Sequence, residues 1–594
     1  MLVVILIWLY VIATTYVIGY GLLKFMTSMS CMQSLRGEKI HPYHVRFRES
    51  YLLTGIIAVT LYAEVFSLFG GVGLWANLLL LMVCMFIAIP HIRQYGAEGF
   101  RHWMAMLSTG SSWLYLGVFF LLAFGTSHGI MHYDTGLYHA QAIHWIETFG
   151  AVKGLGNLHL RLAYNSAAFP LSALYSFSFL GKQSYHVMAG YFALLLAWQC
   201  VDLKNICRRK QPTVPDAARL VAIYYLFTIY SGIVSPASDY FVITLVCYIV
   251  IQWLDLDYEH EKSVVPYAFL SMAAVYAVTL KLSVAPVLLL AVKPVVMMLR
   301  SKRREYRKTF LCSLILGLIT AVPFLIRNVI LSGWLIYPFT ALDLFHVSWK
   351  IPKGVAEYDA REIAVYGRGY TDVTRYTEPI GNWFPKWFSG IGRLNQIMLI
   401  ADAVSLVILI VSLIVYMTVL SHRTAKIQEK SSKVILLNHH RMVTLGDFLF
   451  VETVLYVQLA FWLFSSPLIR YGSIFILFPA VLMLYRIGTY AYHRLGDRAS
   501  TAVCAALVGL MFLFVAYKSV RVLIPEIRSF KASELVNQQD YPVFEVKAYQ
   551  IGRITFYYPI EGDQTGYLPF PSSPAKADVT LRGDSLADGF NPCE

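Results

Sequence analysis

The segment HYDTGLYHAQAIHWIETFG, residues 132–150, follows a long apolar run and holds three histidines, two carboxylates and two tyrosines. Asp134 is the residue there with the most to offer. A carboxylate facing a cavity can act as a general base toward a hydroxyl, or ligate a metal. It can also simply serve the orphan N–H groups at a helix start. The second use has support, because Tyr138, Ala142, Trp145 and Ile146 recur at three- and four-residue steps. The spacing predicts a helix from Thr135 to Phe149, stopped by Gly150. Such a helix would lie along a membrane surface with Trp145 at the interface. His132, His139, His144 and His159 show neither HxxxH nor HExxH spacing, so a histidine-held metal is not favoured.

Further charged residues stand at the edges of apolar runs. Asp239 opens one in SPASDYFV, as a cap or as a group facing a cavity. Lys281, in VTLKLSVAP, lies in a tight turn between two runs. Arg327 in PFLIRNVILSG and Arg470 in SSPLIRYGS close the set. Each cation alone can snorkel to a headgroup layer. Taken together with Asp239, they suit an anionic group such as a phosphate. The stretch GNWFPKWF, 381–388, is an aromatic anchor or the wall of a lipid or sugar site.

The elements that must position these residues are membrane spans. The chain is 57% hydrophobic and 14% charged over 594 residues, too apolar for a soluble protein of that length. Fourteen apolar runs are read, near 2–23, 51–70, 74–90, 107–127, 184–203, 217–234, 239–256, 264–279, 283–299, 309–331, 396–420, 446–464, 473–491 and 499–518. The first has no basic flank or cleavage site and reads as a retained span rather than a signal peptide. The expected fold class is an all-α polytopic membrane protein. Loops near 24–50, 204–216, 300–308 and 421–445 are basic, with Lys24, Arg36, Lys39, Arg46, Arg48, Lys204, Arg208, Arg209, Lys210, Arg300, Lys302, Arg303, Arg304, Arg307, Lys308, Arg423, Lys426, Lys430, Lys433 and Arg441. All four loops fall on one side, the cytoplasmic one. That pattern accounts for the net charge of +14 without nucleic acid. Both termini then face out, with outer loops at 128–183 and 332–395 and an outer tail at 519–594. Within the first loop, 169–181 is too short to span and is expected on the outer surface. Lys293, inside the ninth run, would snorkel inward or mark a shifted span. The tail carries two β-favouring runs, FEVKAYQI and RITFYYPI, and is too small to count on as independently stable. Seven of eight cysteines fall in spans or cytoplasmic loops and Cys593 outside, so no disulfide framework is implied.

In order and position these features resemble the membrane-embedded glycosyltransferases of the GT-C superfamily, which use polyprenyl-phosphate-linked sugars. An acid opens the first outer loop (Asp134), a Pro-led helix follows (FPLSALYSFSFLG), then SPASD, LKLSVAP, RNVILSGWLIYPF and SSPLIRYG. The resemblance covers roughly 107–490. It implies a GT-C-like core over 107–518, preceded by three extra spans in 1–106 that depart from the usual pattern. It implies Asp134 as the base that activates an acceptor hydroxyl, with inversion at the sugar. Lys281, Arg327 and Arg470 would hold the donor phosphate. Asp239 would orient sugar, acceptor or metal, and Tyr133 and His139 would line the substrate site. Some members use a divalent metal, but Asp239 lacks an adjacent second carboxylate, which leans against one here. The partners implied are a polyprenyl-phosphate-linked sugar, a glycan, lipid or protein acceptor, and membrane lipid. The setting implied is the bacterial inner membrane with the loops in the periplasm. The chain is also similar to an uncharacterised bacterial multispanning family with a tail of the kind EGDQTGYLPFPSSP…LRGDSLADGF. Cysteines often stand in that family where this chain has Thr565 and Ser572, so no tail disulfide carries over. Two other functions remain: a polymerase of lipid-linked repeat units, and a flippase or transporter. The absence of a visible repeat, with charge at span ends, disfavours transport.

Overall fold

A helix satisfies its own backbone hydrogen bonds, so apolar runs of this length fold as helices in hydrocarbon. The computed structural model is 72% helix and 4% strand. It describes all residues except 30, 37–38, 43–48, 90–111, 182, 301–303, 427–441, 493, 496 and 594. Arg46, Arg48, Lys302, Arg303, Lys430, Lys433, Arg441 and the start of the fourth apolar run lie outside the described residues. Each of the fourteen runs contains helix, from Leu2–Ser28 to Asp497–Ser529. Among the described residues, nine helices are long and apolar enough to cross a membrane, and four more apolar helices are shorter.

The first two long helices, Leu2–Ser28 and Ser50–Ser67, show how tightly the bundle packs. A Cβ on Gly19 would lie 1.9 Å from the Tyr51 carbonyl oxygen, and one on Gly55 1.8 Å from that of Thr15. The two backbones touch, which only a residue without a side chain permits. The ninth run begins as a 3-10 stretch, Leu282–Ala291, with Pro286 inside it, and continues as the α-helix Val292–Arg300. Lys293 does not snorkel: its ammonium pairs with Asp257, and with Asp447 at 2.7 Å, above the Tyr267 ring.

Two expectations for the first outer loop are corrected. Only the end of 169–181 lies on the surface: residues 169–176 are buried, 177–179 partly so, and Leu180 is 63% exposed. They form a seven-residue helix, Ala168–Leu174, with every residue buried, then a 3-10 turn at Ser178–Leu180. Backbone bonds pin its start to the helix Val264–Leu280, with Ala167 N on the Thr279 oxygen at 3.0 Å. Trp145 is fully buried rather than interfacial, ringed by Phe149, Phe570 and Phe590. Its helix runs Ala140–Thr148, after a wide π turn at Thr135–His139.

The tail is docked on this loop. Its β-favouring runs form an antiparallel hairpin, Val546–Ile551 with Ile554–Pro559, and a second pairs Val579–Leu581 with Phe590–Pro592. Thr565 N and Gly566 N both donate to the Gly136 oxygen. Gln141 Nε2 donates to the carbonyls of Gly566, Tyr567 and Pro569, while its Oε1 accepts from Ser572 N. His144 is stacked between Tyr567 and Phe570, with centroids 4.1 and 3.9 Å away. The tail also meets the first helix, where Val3 N donates to the Val536 oxygen.

Candidate functional site

Four turns, far apart in sequence, are laced together at the end of the bundle where the tail docks. Ile130 N donates to the Ser231 oxygen at 2.7 Å, and His132 N to Ser235 Oγ at 2.7 Å. Gly129 makes this approach possible: its φ is +148, and a Cβ would sit 2.3 Å from the Ser231 oxygen. The lacing sets Asp134 beside the SPASD turn and the helix Ser238–Tyr258. Ser166 Oγ donates to the Leu280 oxygen at 2.7 Å, which fixes the residue before Lys281. Trp387 Nε1 donates to the Pro467 oxygen at 2.9 Å and Ser466 Oγ to the Ile363 oxygen at 3.0 Å. The second large loop thereby holds the turn that carries Arg470, and the GNWFPKWF stretch turns out to be a brace, with Trp383 and Trp387 buried.

The side chains these turns deliver form two ion pairs. Arg470 places one terminal nitrogen 2.8 Å from Asp134 Oδ2 and the other 2.9 Å from His132 Nε2. It also donates to Tyr471 Oη at 2.7 Å. Lys281 pairs with Asp239 and stands over the Tyr471 ring, 3.6 Å from its centroid. Tyr471 thus joins the two pairs. The Asp134 carboxylate makes no cap bond to the helix that follows, so the capping reading is not what its geometry shows. The cluster is reachable: the Arg470 side chain is 34% exposed, Lys281 23% and Asp134 16%.

Arg327 is not brought to this cluster. It is 1% exposed, donates to Ser67 Oγ and to Asn165 Oδ1, and has Glu64 as counter-charge. Tyr133 points the other way and donates to the tail's Asp563, which pushes its phenol up to about 12. His139 is buried behind His132, 6.1 Å between ring centroids. Burial, with His132, Lys281 and Arg470 close by, holds His139 well below the usual histidine range. Burial also lowers His132, with Arg470 and Lys281 acting the same way against Asp134 and Asp239. Among the described residues, no group of three or more His, Cys, Asp or Glu side chains could hold a metal ion.

A family model described as a domain of unknown function, DUF8201, matches residues 1–477. The chain belongs to that family. The matched DUF8201 region contains Asp134, Asp239, Lys281 and Arg470, and ends before the tail. No curated protein and no solved structure matches the chain.

His132 and Tyr471 were missed as site residues in the sequence. Each is adjacent or nearly adjacent to a chosen residue, and nothing in its own type marks it.

Proposed function

We propose that the chain is a membrane glycosyltransferase of GT-C type that moves a sugar from a polyprenyl-phosphate donor to a hydroxyl acceptor. The convergence of Asp134, Asp239, Lys281 and Arg470 carries this reading. A reachable carboxylate beside two reachable cations is what base-assisted attack on a phosphate-linked sugar needs. Arg470 holds Asp134 Oδ2, and Oδ1 takes the proton of the acceptor hydroxyl. The hydroxyl oxygen bonds to the anomeric carbon as its bond to the phosphate oxygen breaks, with inversion. The electron pair leaves on the polyprenyl phosphate, whose charge Lys281 and Arg470 receive. Arg327 has no part in this step. On this reading the cluster faces the outer side of a bacterial inner membrane, with both termini outside, a topology that the charge bias of the basic loops supports. A divalent metal is not favoured, and the acceptor is a cell-surface glycan, lipid or protein.

Mass spectrometry of the purified protein tests the reading. The expected ligand is a sugar on a polyprenyl monophosphate, lost on Arg470→Ala. An oligosaccharide on a pyrophosphate would replace it with a repeat-unit polymerase. A protein that carries lipid-linked sugar across vesicles without transferring it would replace it with a flippase.

A further inference from the structure

Both ring nitrogens of His132 face hydrogen-bond donors. The backbone N–H of Asp134 points at Nδ1 from 3.1 Å, and an Arg470 terminal nitrogen lies 2.9 Å from Nε2. A neutral imidazole offers one acceptor and one donor, whereas a backbone amide and a guanidinium only donate. The amide is fixed, since Asp134 begins the π turn and His132 is itself tied to Ser235. Nδ1 therefore accepts, and the hydrogen sits on Nε2. That hydrogen and the Arg470 N–H face each other across 2.9 Å, with no acceptor between them. Two such donors are matched by one acceptor placed against both, and an anionic oxygen is the strongest choice.

We propose that His132, as its Nε2–H tautomer, is a direct ligand of the donor's phosphate alongside Arg470 and Lys281, in the role that the sequence suggested for Arg327. This rests on the glycosyltransferase reading and names one more residue of that same site. The ring is well placed for it. His132 and Asp134 side chains are each 16% exposed, so the ring is held yet reachable. The groups facing it are Asp134, with Oδ2 3.9 Å from Nδ1, and Arg470, Asp239, Lys281, His139 and the edge of Tyr240. Two acids and two bases balance, so an incoming phosphate sets the charge felt by the ring.

The test is binding of a short-chain polyprenyl monophosphate to the purified full chain and its variants. In H132Q an amide N–H replaces Nε2–H, and in H132L nothing does. One charge-assisted hydrogen bond is lost in H132L, so affinity should fall roughly tenfold or more, while H132Q should stay within about threefold of wild type. If H132L does not fold, H132N serves, because its amide reaches the Nδ1 position but not Nε2; it should weaken likewise. With Nδ1 held as an acceptor, wild type and H132Q should share one pH dependence, that of the phosphate's own titration. Wild-type affinity in H132L, with binding lost in Arg470→Ala, would overturn the role of His132 and leave the glycosyltransferase reading intact. A wild-type chain that binds no polyprenyl monophosphate would sink both.

Discussion

Asp134 and Arg327 show how far a single residue can be read. Asp134 stands out in sequence because a carboxylate at the mouth of an apolar run is costly unless used. The structure adds that its side chain caps nothing and is held by Arg470. Asp134→Asn keeps an oxygen for Arg470 and removes the base, so the fold should persist while transfer falls roughly 10²-fold or more. Single-turnover transfer from the co-purified donor measures this; a wild-type rate would shift the base to Asp239. Arg327 had the same sequence signature as Arg470, an arginine among apolar residues at a run's end. What separates them is the direction in which each faces, and a lone sequence position does not encode that. Arg327→Met removes a buried cation from Ser67, Asn165 and the neighbourhood of Glu64, and should destabilise by about 3–5 kcal/mol. Thermal unfolding in detergent reads this. A stable Arg327→Met chain with weakened phosphate affinity would return Arg327 to the site. His132 and Tyr471 were illegible because histidine and tyrosine are ordinary at a membrane boundary, and only the fold shows what they touch.

At the scale of elements, length and apolarity told most of the story, since each run needed a helix to satisfy its backbone. They failed where protein, not lipid, is the surrounding solvent. Ala168–Leu174 is too short to span, yet it is wholly buried, because neighbouring helices cover it. The same packing makes Gly55 intolerant. Gly55→Leu would drive a side chain into the Thr15 backbone, which has no freedom to yield. The first two helices should separate, at a cost of roughly 1–3 kcal/mol or more. Unfolding midpoints and detergent-extracted yield are the measurements, with Gly488→Leu, whose Cβ would meet nothing within 4 Å, as the comparison.

Across the whole molecule, the loop and the tail form one body, and two titratable groups govern the seam. Burial between Tyr567 and Phe570 lowers His144 from 6.5 to about 4. A depressed histidine contributes stability above its unfolded value, and that contribution is lost as pH falls from 6.5 to about 4. Glu147, which accepts from Ser184 and Tyr567, is raised by burial. Its contribution runs the other way and is lost as pH rises through its raised value. The two contributions oppose each other where their ranges overlap. Limited proteolysis of the tail across pH should show His144→Phe removing the part of the loss that grows toward acid, and Glu147→Gln removing the part that grows toward alkali. Equal cleavage at every pH would detach both groups from docking. Nothing local marks this seam beyond the β-favouring runs, because its partners are some 420 residues apart.

Gln141 grips the tail by main-chain atoms alone, through three carbonyls and one N–H. A contact of that kind is blind to side-chain identity. Between Leu568 and Ser572, sequence can drift without releasing the tail wherever the backbone path is kept and rings still flank His144, whereas Gly566, at a φ of +71 and against the Pro542 oxygen, must stay glycine. Gln141 itself has no such freedom. Over evolutionary time the two sides of this one seam should therefore age at different rates, the tail wandering and the glutamine standing still.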